Sequence, residues 1–133
     1  MVKKTVVVLL VVLALASLRL AEAQQPKKVP RIGFLTATSA SSQASRLDAF
    51  RQGLRELGYV EGKNIVIEYR YAEGLDRLPA LAAELVRLKV AVIVTGGAAG
   101  TRTAKQATTT IPIVMTQDPD PVGNGFVASL ARY

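Results

Sequence analysis

The sequence predicts an α/β domain built on a doubly wound, mostly parallel sheet with strand order 2-1-3-4. Three observations predict it. Apolar, strand-like runs alternate with amphipathic helical stretches from Arg31 to Met115, the pattern of a parallel sheet buried between helices. Three of the four strand candidates, Arg31–Leu35, Val90–Val94 and Ile111–Met115, are nearly all apolar, as strands covered on both faces are. The remaining one, Ile65–Tyr71, alternates: Ile65, Ile67, Tyr69 and Tyr71 share one face and Val66, Glu68 and Arg70 the other. A strand with one polar face belongs at a sheet edge, and that contrast gives the order 2-1-3-4.

The first residues predict a targeting segment rather than part of the domain. Lys3 and Lys4 form a basic start, Val6–Leu18 is an apolar run of 13 residues, and Ala21-Glu22-Ala23 supplies the small-x-small site. A signal peptide of residues 1–23, forming a helix and cleaved after Ala23, fits these flanks. As a membrane anchor the run falls short of the ~20 residues a bilayer needs, and Arg19 ends it. The expected mature chain, residues 24–133, is thus exported to the periplasm. Losing Lys3, Lys4, Arg19 and Glu22 lowers the 17 basic and 10 acidic groups to 14 and 9, a net charge of +5. The excess is spread over helices, at Arg46, Arg51, Arg55, Arg77 and Arg87, which reads as solvated helix faces and not as a nucleic-acid surface. The chain has no Cys, His or Trp. That excludes disulfides, thiolate metal sites and the commonest general base.

Gln24–Pro30 is a polar lead-in. Arg31–Leu35 is the first strand, and the Ser/Thr-rich loop Thr36–Ser42 follows it. The hydroxyls of that loop serve equally to hold a polar ligand or to cap a helix. The first helix is expected over Ser45–Leu57, with Ser45 and Asp48 as a capping box. Leu47, Phe50, Leu54 and Leu57 form its buried stripe, and Gly58 its left-handed C-terminal cap. Tyr59–Asn64 turns into the alternating strand. Glu73-Gly74 turns the chain again, and Asp76 is placed to cap the second helix, Arg77–Leu88. Pro79 falls in that helix's first turn, where it is tolerated. Leu78, Leu81, Leu85 and Leu88 recur on its buried side, with Ala82 beside them.

The organising stretch is Val90–Gly123. It predicts a strand, a glycine turn at Gly96-Gly97, a short helix over Thr101–Thr108, a strand at Ile111–Met115 and an acidic loop, with a further helix start at Phe126–Leu130. Both strands aim their carboxyl ends at one crevice, where open α/β sheets bind ligands. The candidate ligand-binding residues are Thr36, Thr38, Gly96, Gly97, Ala98, Thr101, Thr116 and Asp118. For a carboxylate, the natural seat is the third helix's N-terminus, with the amides of Gly97–Gly100 and the Thr101 hydroxyl. Asp118 is an acceptor for an amino group, and Thr36 and Thr38 are hydroxyl donors. Asp120 and Pro121 shape the loop. The same glycines and hydroxyls also serve plain turn chemistry.

Enzymatic readings find little support. Asp118 and Asp120 form a carboxylate pair only in sequence, beside two prolines and without a third ligand, so no catalytic residue and no metal site is expected. Gly123–Ala128 fits G-x-G-x-x-A by pattern, but seven loop residues separate it from the preceding strand, and a dinucleotide site needs it directly after one. No cofactor is expected.

Five segments carry a resemblance to a known family: Phe50-Arg51-Gln52-Gly53-Leu54, Gly58–Asn64, Arg77–Ala82, Thr110–Val114 and Asp120-Pro121-Val122-Gly123. Together and in this order they resemble an ABC transporter substrate-binding protein of the type 1 periplasmic-binding class, in the branch that contains tryptophan-type amino-acid binders. The resemblance covers Gln24–Leu130. It implies a two-lobed clamshell about twice this length, a small ligand such as an amino acid held between the lobes, and delivery to a membrane permease and its ATPase. On this resemblance, residues 24–133 are most of an N-terminal lobe without the second. A sensory or interaction module of the same fold, and a truncated copy without a function of its own, remain alternative readings. Without a fifth strand, the strand ending at Met115 leaves an apolar sheet edge unpaired.

Overall fold

The computed structural model describes residues 28–127; the expected leader lies outside them. Four strands, β1 (Arg31–Thr36), β2 (Val66–Tyr71), β3 (Val92–Gly96) and β4 (Ile113–Met115), alternate with three helices, α1 (Ala40–Glu56), α2 (Leu78–Arg87) and α3 (Ala98–Ala107). The strands form one sheet in the order β2-β1-β3-β4, every pair parallel. The expected fold class and strand order are both found. Among the described residues, no helix is long and apolar enough to cross a membrane.

The central strands β1 and β3 carry the least exposed side chains because helices cover both of their faces. Leu35 and Ile93 point to the side that holds α2 and α3, where they pack with Leu78, Leu81, Leu85 and Ala104. Phe34 and Val94 point to the other side and meet Leu47 of α1 and Ile67 of β2. Each such aliphatic side chain contributes roughly 1.5–3 kcal/mol on burial. The polar face of β2 is tied down by charge: Arg70 Nε donates to Glu84 Oε2 of α2 at 2.8 Å, and Arg70 also pairs with Glu68 at 3.3 Å. The alternation that marks β2 as an edge strand therefore has a partner on each face.

Several boundaries differ from the sequence expectation. α1 begins at Ala40, capped by Ser39, whose Oγ accepts from the Ser42 amide at 3.3 Å. The expected capping pair Ser45 and Asp48 lies exposed inside the helix. The Ser/Thr-rich segment thus joins the helix, because Ser39 is the first residue able to cap while its backbone is extended. At the other end, the Gly58 amide donates to the Arg55 carbonyl and the Tyr59 amide to the Leu54 carbonyl, with Gly58 at φ +89°. This is a Schellman turn, and it needs the glycine. Leu57 sits at its start and is 76% exposed, so the buried stripe ends at Leu54.

α2 starts at Leu78 without a side-chain cap, so Asp76 does not fill that role. Leu88, expected in its buried stripe, is 37% exposed, because the chain leaves the helix axis there. Lys89 follows in the left-handed region, at φ +54°. β3 is displaced two residues toward the C-terminus relative to expectation: pairing with β1 carries it through Thr95 and Gly96, while Val90 is buried ahead of it. β4 is shorter than expected. Pro112 precedes it, and its carbonyl accepts from the Ile93 amide at 2.9 Å. β4 closes the described sheet on one side, with Val114 49% exposed. Of the expected helix at Phe126–Leu130, only Phe126 and Val127 are described, and they are not helical.

Candidate functional site

The carboxyl ends of β1, β3 and β4 finish level. Thr36 pairs with Gly96 and Thr95 with Met115 in the parallel registers. Gly96 is the last residue of β3, and Gly97 is the N-cap of α3, at φ +101° and ψ 164°. That conformation is all but closed to residues with a Cβ. It turns the chain straight from strand to helix. No side chain caps α3, so the amides of its first turn, Ala98 to Gly100, lack intrahelical acceptors and carry the positive end of the helix dipole. The helix begins three residues earlier than the expected Thr101. Gly100 is the reason it fits: a Cβ there would stand 2.9 Å from the Leu35 carbonyl oxygen of β1.

Hydroxyls knit these ends together. Thr36, fully buried, donates from Oγ1 to the Gly96 carbonyl at 2.9 Å. The exposed Thr38 has its hydroxyl 3.0 Å from that of Thr36. On the other side of β3, Thr116 donates from both its amide and its hydroxyl to the Thr95 carbonyl, at 3.0 and 2.7 Å. The loop after β4 therefore sits directly against the end of β3.

The geometry alters three expected roles. Thr101 is 1% exposed, and its hydroxyl donates to the Gly97 carbonyl at 3.1 Å while lying 2.7 Å from the Thr95 hydroxyl. It pins α3 to β3 and offers nothing to the crevice. The Thr36 proton is committed to Gly96, so Thr36 is no donor for a ligand either. Asp118 uses Oδ1 to close its own loop, accepting from the Asp120 amide and the Asn124 side chain at 2.9 Å each. Its Oδ2 is buried without a hydrogen-bond partner. Asp120 accepts from the Gly123 amide at 2.9 Å and shapes the loop, as expected.

One residue of the site escapes sequence reading. Gln43 is 3% exposed and donates from Nε2 to Thr38 Oγ1 at 2.9 Å. A helix starting at Ser45 does not include Gln43. The helix that starts at Ala40 includes Gln43, four residues before Leu47, on the face that meets the sheet.

A concavity lies away from the strand ends. It is an open groove of about 360 Å³ between α2 and α3, lined by Pro79, Ala83, Val86, Thr103 and Ala107.

A doubly wound parallel sheet of this order is the architecture of a substrate-binding protein lobe. Residues 31–133 match the family model described as ABC transporter substrate binding protein, and the chain belongs to that family. A curated relative, a tyrosine-binding protein of Clostridioides difficile (strain R20291), is 31% identical over 107 residues, which are 80% of this chain and 31% of the relative. Among solved structures, a conserved domain protein from Vibrio cholerae superposes with a TM-score of 0.73 at 29% identity, over 77% of this chain and 35% of that one. The ligand-free, open form of a substrate-binding protein with adhesive properties from Clostridium difficile gives 0.71 at 26% identity, again over 77% and 35%. The fold is also that of an ABC domain from Streptococcus pneumonia in complex with L-Trp, with a TM-score of 0.70 at 24% identity, over 76% of this chain and 34% of that one. The chain spans about a third of the length of the relatives it matches.

Proposed function

We propose that residues 24–133 form the first lobe of an extracytoplasmic solute-binding component of an ABC import system, and that the crevice at the carboxyl ends of β1, β3 and β4 is one wall of its ligand site. The observation that carries this is the uncapped N-terminus of α3, set level with the hydroxyl-lined ends of β1 and β4. Fixed amides at a helix start suit an anionic group such as a carboxylate. A small amino acid is the ligand class that fits, and the curated relative named for tyrosine binding supports it.

In this reading Gly96, Gly97 and Ala98 present the backbone, Thr38 the exposed hydroxyl, and Asp118 Oδ2 an acceptor for a cationic group. Thr36, Thr101 and Thr116 hold those groups in place through their own hydrogen bonds. The chemistry is capture without bond making, and the site uses no catalytic residue, metal or cofactor. Hinge closure of a second lobe would complete the enclosure, and the loaded protein would hand its ligand to a membrane permease. The leader of residues 1–23 would direct the chain to the periplasm. Mass spectrometry of the exported protein is then expected to find Gln24 at its N-terminus; retention of Met1–Ala23 contradicts export by cleavage.

Good ligand sites enclose ~70–90% of the ligand surface, and one wall encloses far less. The 133 residues taken alone are therefore expected to bind free amino acids weakly, on the order of millimolar in calorimetry, since one open wall forfeits most of that burial. Micromolar affinity overturns the one-wall reading. Asp118→Ala is expected to weaken binding further; unchanged affinity removes Asp118 from the site.

A further inference from the structure

We infer that the pole of the domain opposite the crevice, where the strands begin, docks onto an anionic lipid surface through exposed bases set among exposed apolar side chains. The inference is independent of what the crevice binds. It starts from topology. All four strands run parallel, so they begin at one pole, and α1 and α2 end there. Residues 28–30 lead into β1, 57–65 into β2 and 88–91 into β3. Hydrogen bonds draw these segments together: the Val66 amide donates to the Pro30 carbonyl at 3.0 Å, and the Ala91 amide to the Arg31 carbonyl at 2.7 Å. With the last two residues of α1, the last of α2 and the first of β1, the pole exposes six bases, Lys28, Arg31, Arg55, Lys63, Arg87 and Lys89, against two acids, Glu56 and Glu61. Glu61 is already held by Arg51 and Tyr69. Among the described residues, Arg31 is the only one of the six bases with a carboxylate in reach, Glu68 at 3.5 Å. The loops at the crevice pole have the reverse balance, with Glu73, Asp76, Asp118 and Asp120 against Arg77.

Apolar side chains gather at the same pole. Of the seven large apolar residues exposed among the described residues, four stand there: Val29, Leu57, Tyr59 and Leu88. Val29 and Leu88 flank an open concavity of about 730 Å³ that Lys28, Arg31 and Lys89 also line. Helix-dipole chemistry accounts for Arg55 and Arg87, which close α1 and α2. It accounts neither for Lys28 and Lys63 nor for the apolar side chains between the bases. Bases that reach lipid phosphates, beside apolar groups that enter the headgroup region, are what an interfacial surface requires. A soluble anion would use the bases alone. Docked by this pole, the domain turns its crevice toward the aqueous side.

The test is cosedimentation of the chain from Gln24 onward, free of the apolar leader, with vesicles of phosphatidylcholine alone or mixed equally with phosphatidylglycerol. Binding to the mixed vesicles only, falling as salt is raised, is expected. Lys28→Gln with Lys89→Gln is expected to weaken it about 25-fold, at roughly fivefold per base near an anionic surface. Leu57→Ser is expected to weaken it at unchanged charge. Arg46→Gln with Arg77→Gln removes the same charge away from the pole and is expected to leave binding nearly unchanged. All these side chains are exposed, so unaltered melting curves certify the fold. Equal loss in the two charge pairs, full binding by Leu57→Ser, or no binding to the mixed vesicles overturns the docking pole. So does competition by free glycerol phosphate at constant ionic strength, which assigns the bases to a soluble anion. Self-association without vesicles that the pole variants abolish assigns the surface to a second copy and overturns it as well.

Discussion

The Thr95 and Thr101 hydroxyls lie 2.7 Å apart in the buried seam between β3 and α3. The Thr101 proton goes on to the Gly97 carbonyl, so the Thr95 proton must fill the short contact. These two bonds fix where α3 starts relative to the sheet, and hence where its free amides point. Thr101→Val keeps the shape and removes the hydroxyl, leaving Thr95 unpaired. It is expected to cost about 1–3 kcal/mol, read from denaturant unfolding. The crevice amides should shift in the ligand-free protein as well. A variant as stable as the parent would show that the hydroxyl pair does not hold the helix.

Gly100 sets the same helix by close approach. A methyl group there would sit 2.9 Å from the Leu35 carbonyl oxygen, a backbone atom that cannot turn aside. Gly100→Ala is therefore expected to destabilise by about 1–3 kcal/mol through overpacking, even though alanine is the better helix former. If chemical denaturation finds the variant more stable, helix propensity has outweighed contact, and α3 does not rest on β1 as described.

Lys89 ends α2 in the left-handed region, at φ +54°, with its amide donating to the Val86 carbonyl at 3.0 Å. A residue with a Cβ is strained there, whereas glycine is not. Lys89→Gly keeps the amide bond and is expected to stabilise the domain by ~0.5 kcal/mol, the strain relieved less the entropy glycine loses. A lower melting temperature would contradict this.

Tyr69 gives a pH signature. Its hydroxyl donates to Glu61 at 3.0 Å and accepts from Arg51 Nε at 3.0 Å. Partial burial, with a smaller push from Glu61 and against the pull of Arg51, raises its pKa from 10.0 to about 12. Because the folded state holds the phenol proton more tightly than the unfolded chain does, this contribution is intact below pH 10.0 and is lost as pH rises toward about 12. Phenolate absorbance during alkaline titration should show Tyr69 ionising late, with Tyr71 also delayed by its burial, and Glu61→Gln should bring Tyr69 earlier. Tyrosines that all ionise near the ordinary value would remove the Arg51–Tyr69–Glu61 cluster from the account.

Much of the fold was legible because burial leaves a strong mark on sequence. The apolar runs at Arg31–Leu35 and Val90–Val94 announced central strands, and the alternation in Ile65–Tyr71 announced the edge. Boundaries were harder wherever one residue type serves two ends. Ser39 and Ser45 are equally good caps by composition, and only the packing of Gln43 and Leu47 against the sheet chooses between them. That the glycines after one strand and the hydroxyls after another meet at neighbouring strand ends was legible. The roles of those hydroxyls were not, since the direction of each proton depends on neighbours distant in sequence. Thr36 meets Gly96 sixty residues on, and that contact takes the Thr36 proton away from any ligand. Gln43 lies ahead of the expected helix but inside α1, where it is buried.

The central claim is that ligand enters where β1, β3 and β4 end. Its most direct test is to map which backbone amides of the labelled 133-residue chain respond to L-tryptophan. Shifts confined to Thr36–Thr38, Gly96–Gly100 and Thr116–Asp118, saturating only at high ligand concentration, are the predicted result. Shifts centred instead on the groove between α2 and α3, at Ala83, Val86 and Thr103, would contradict it.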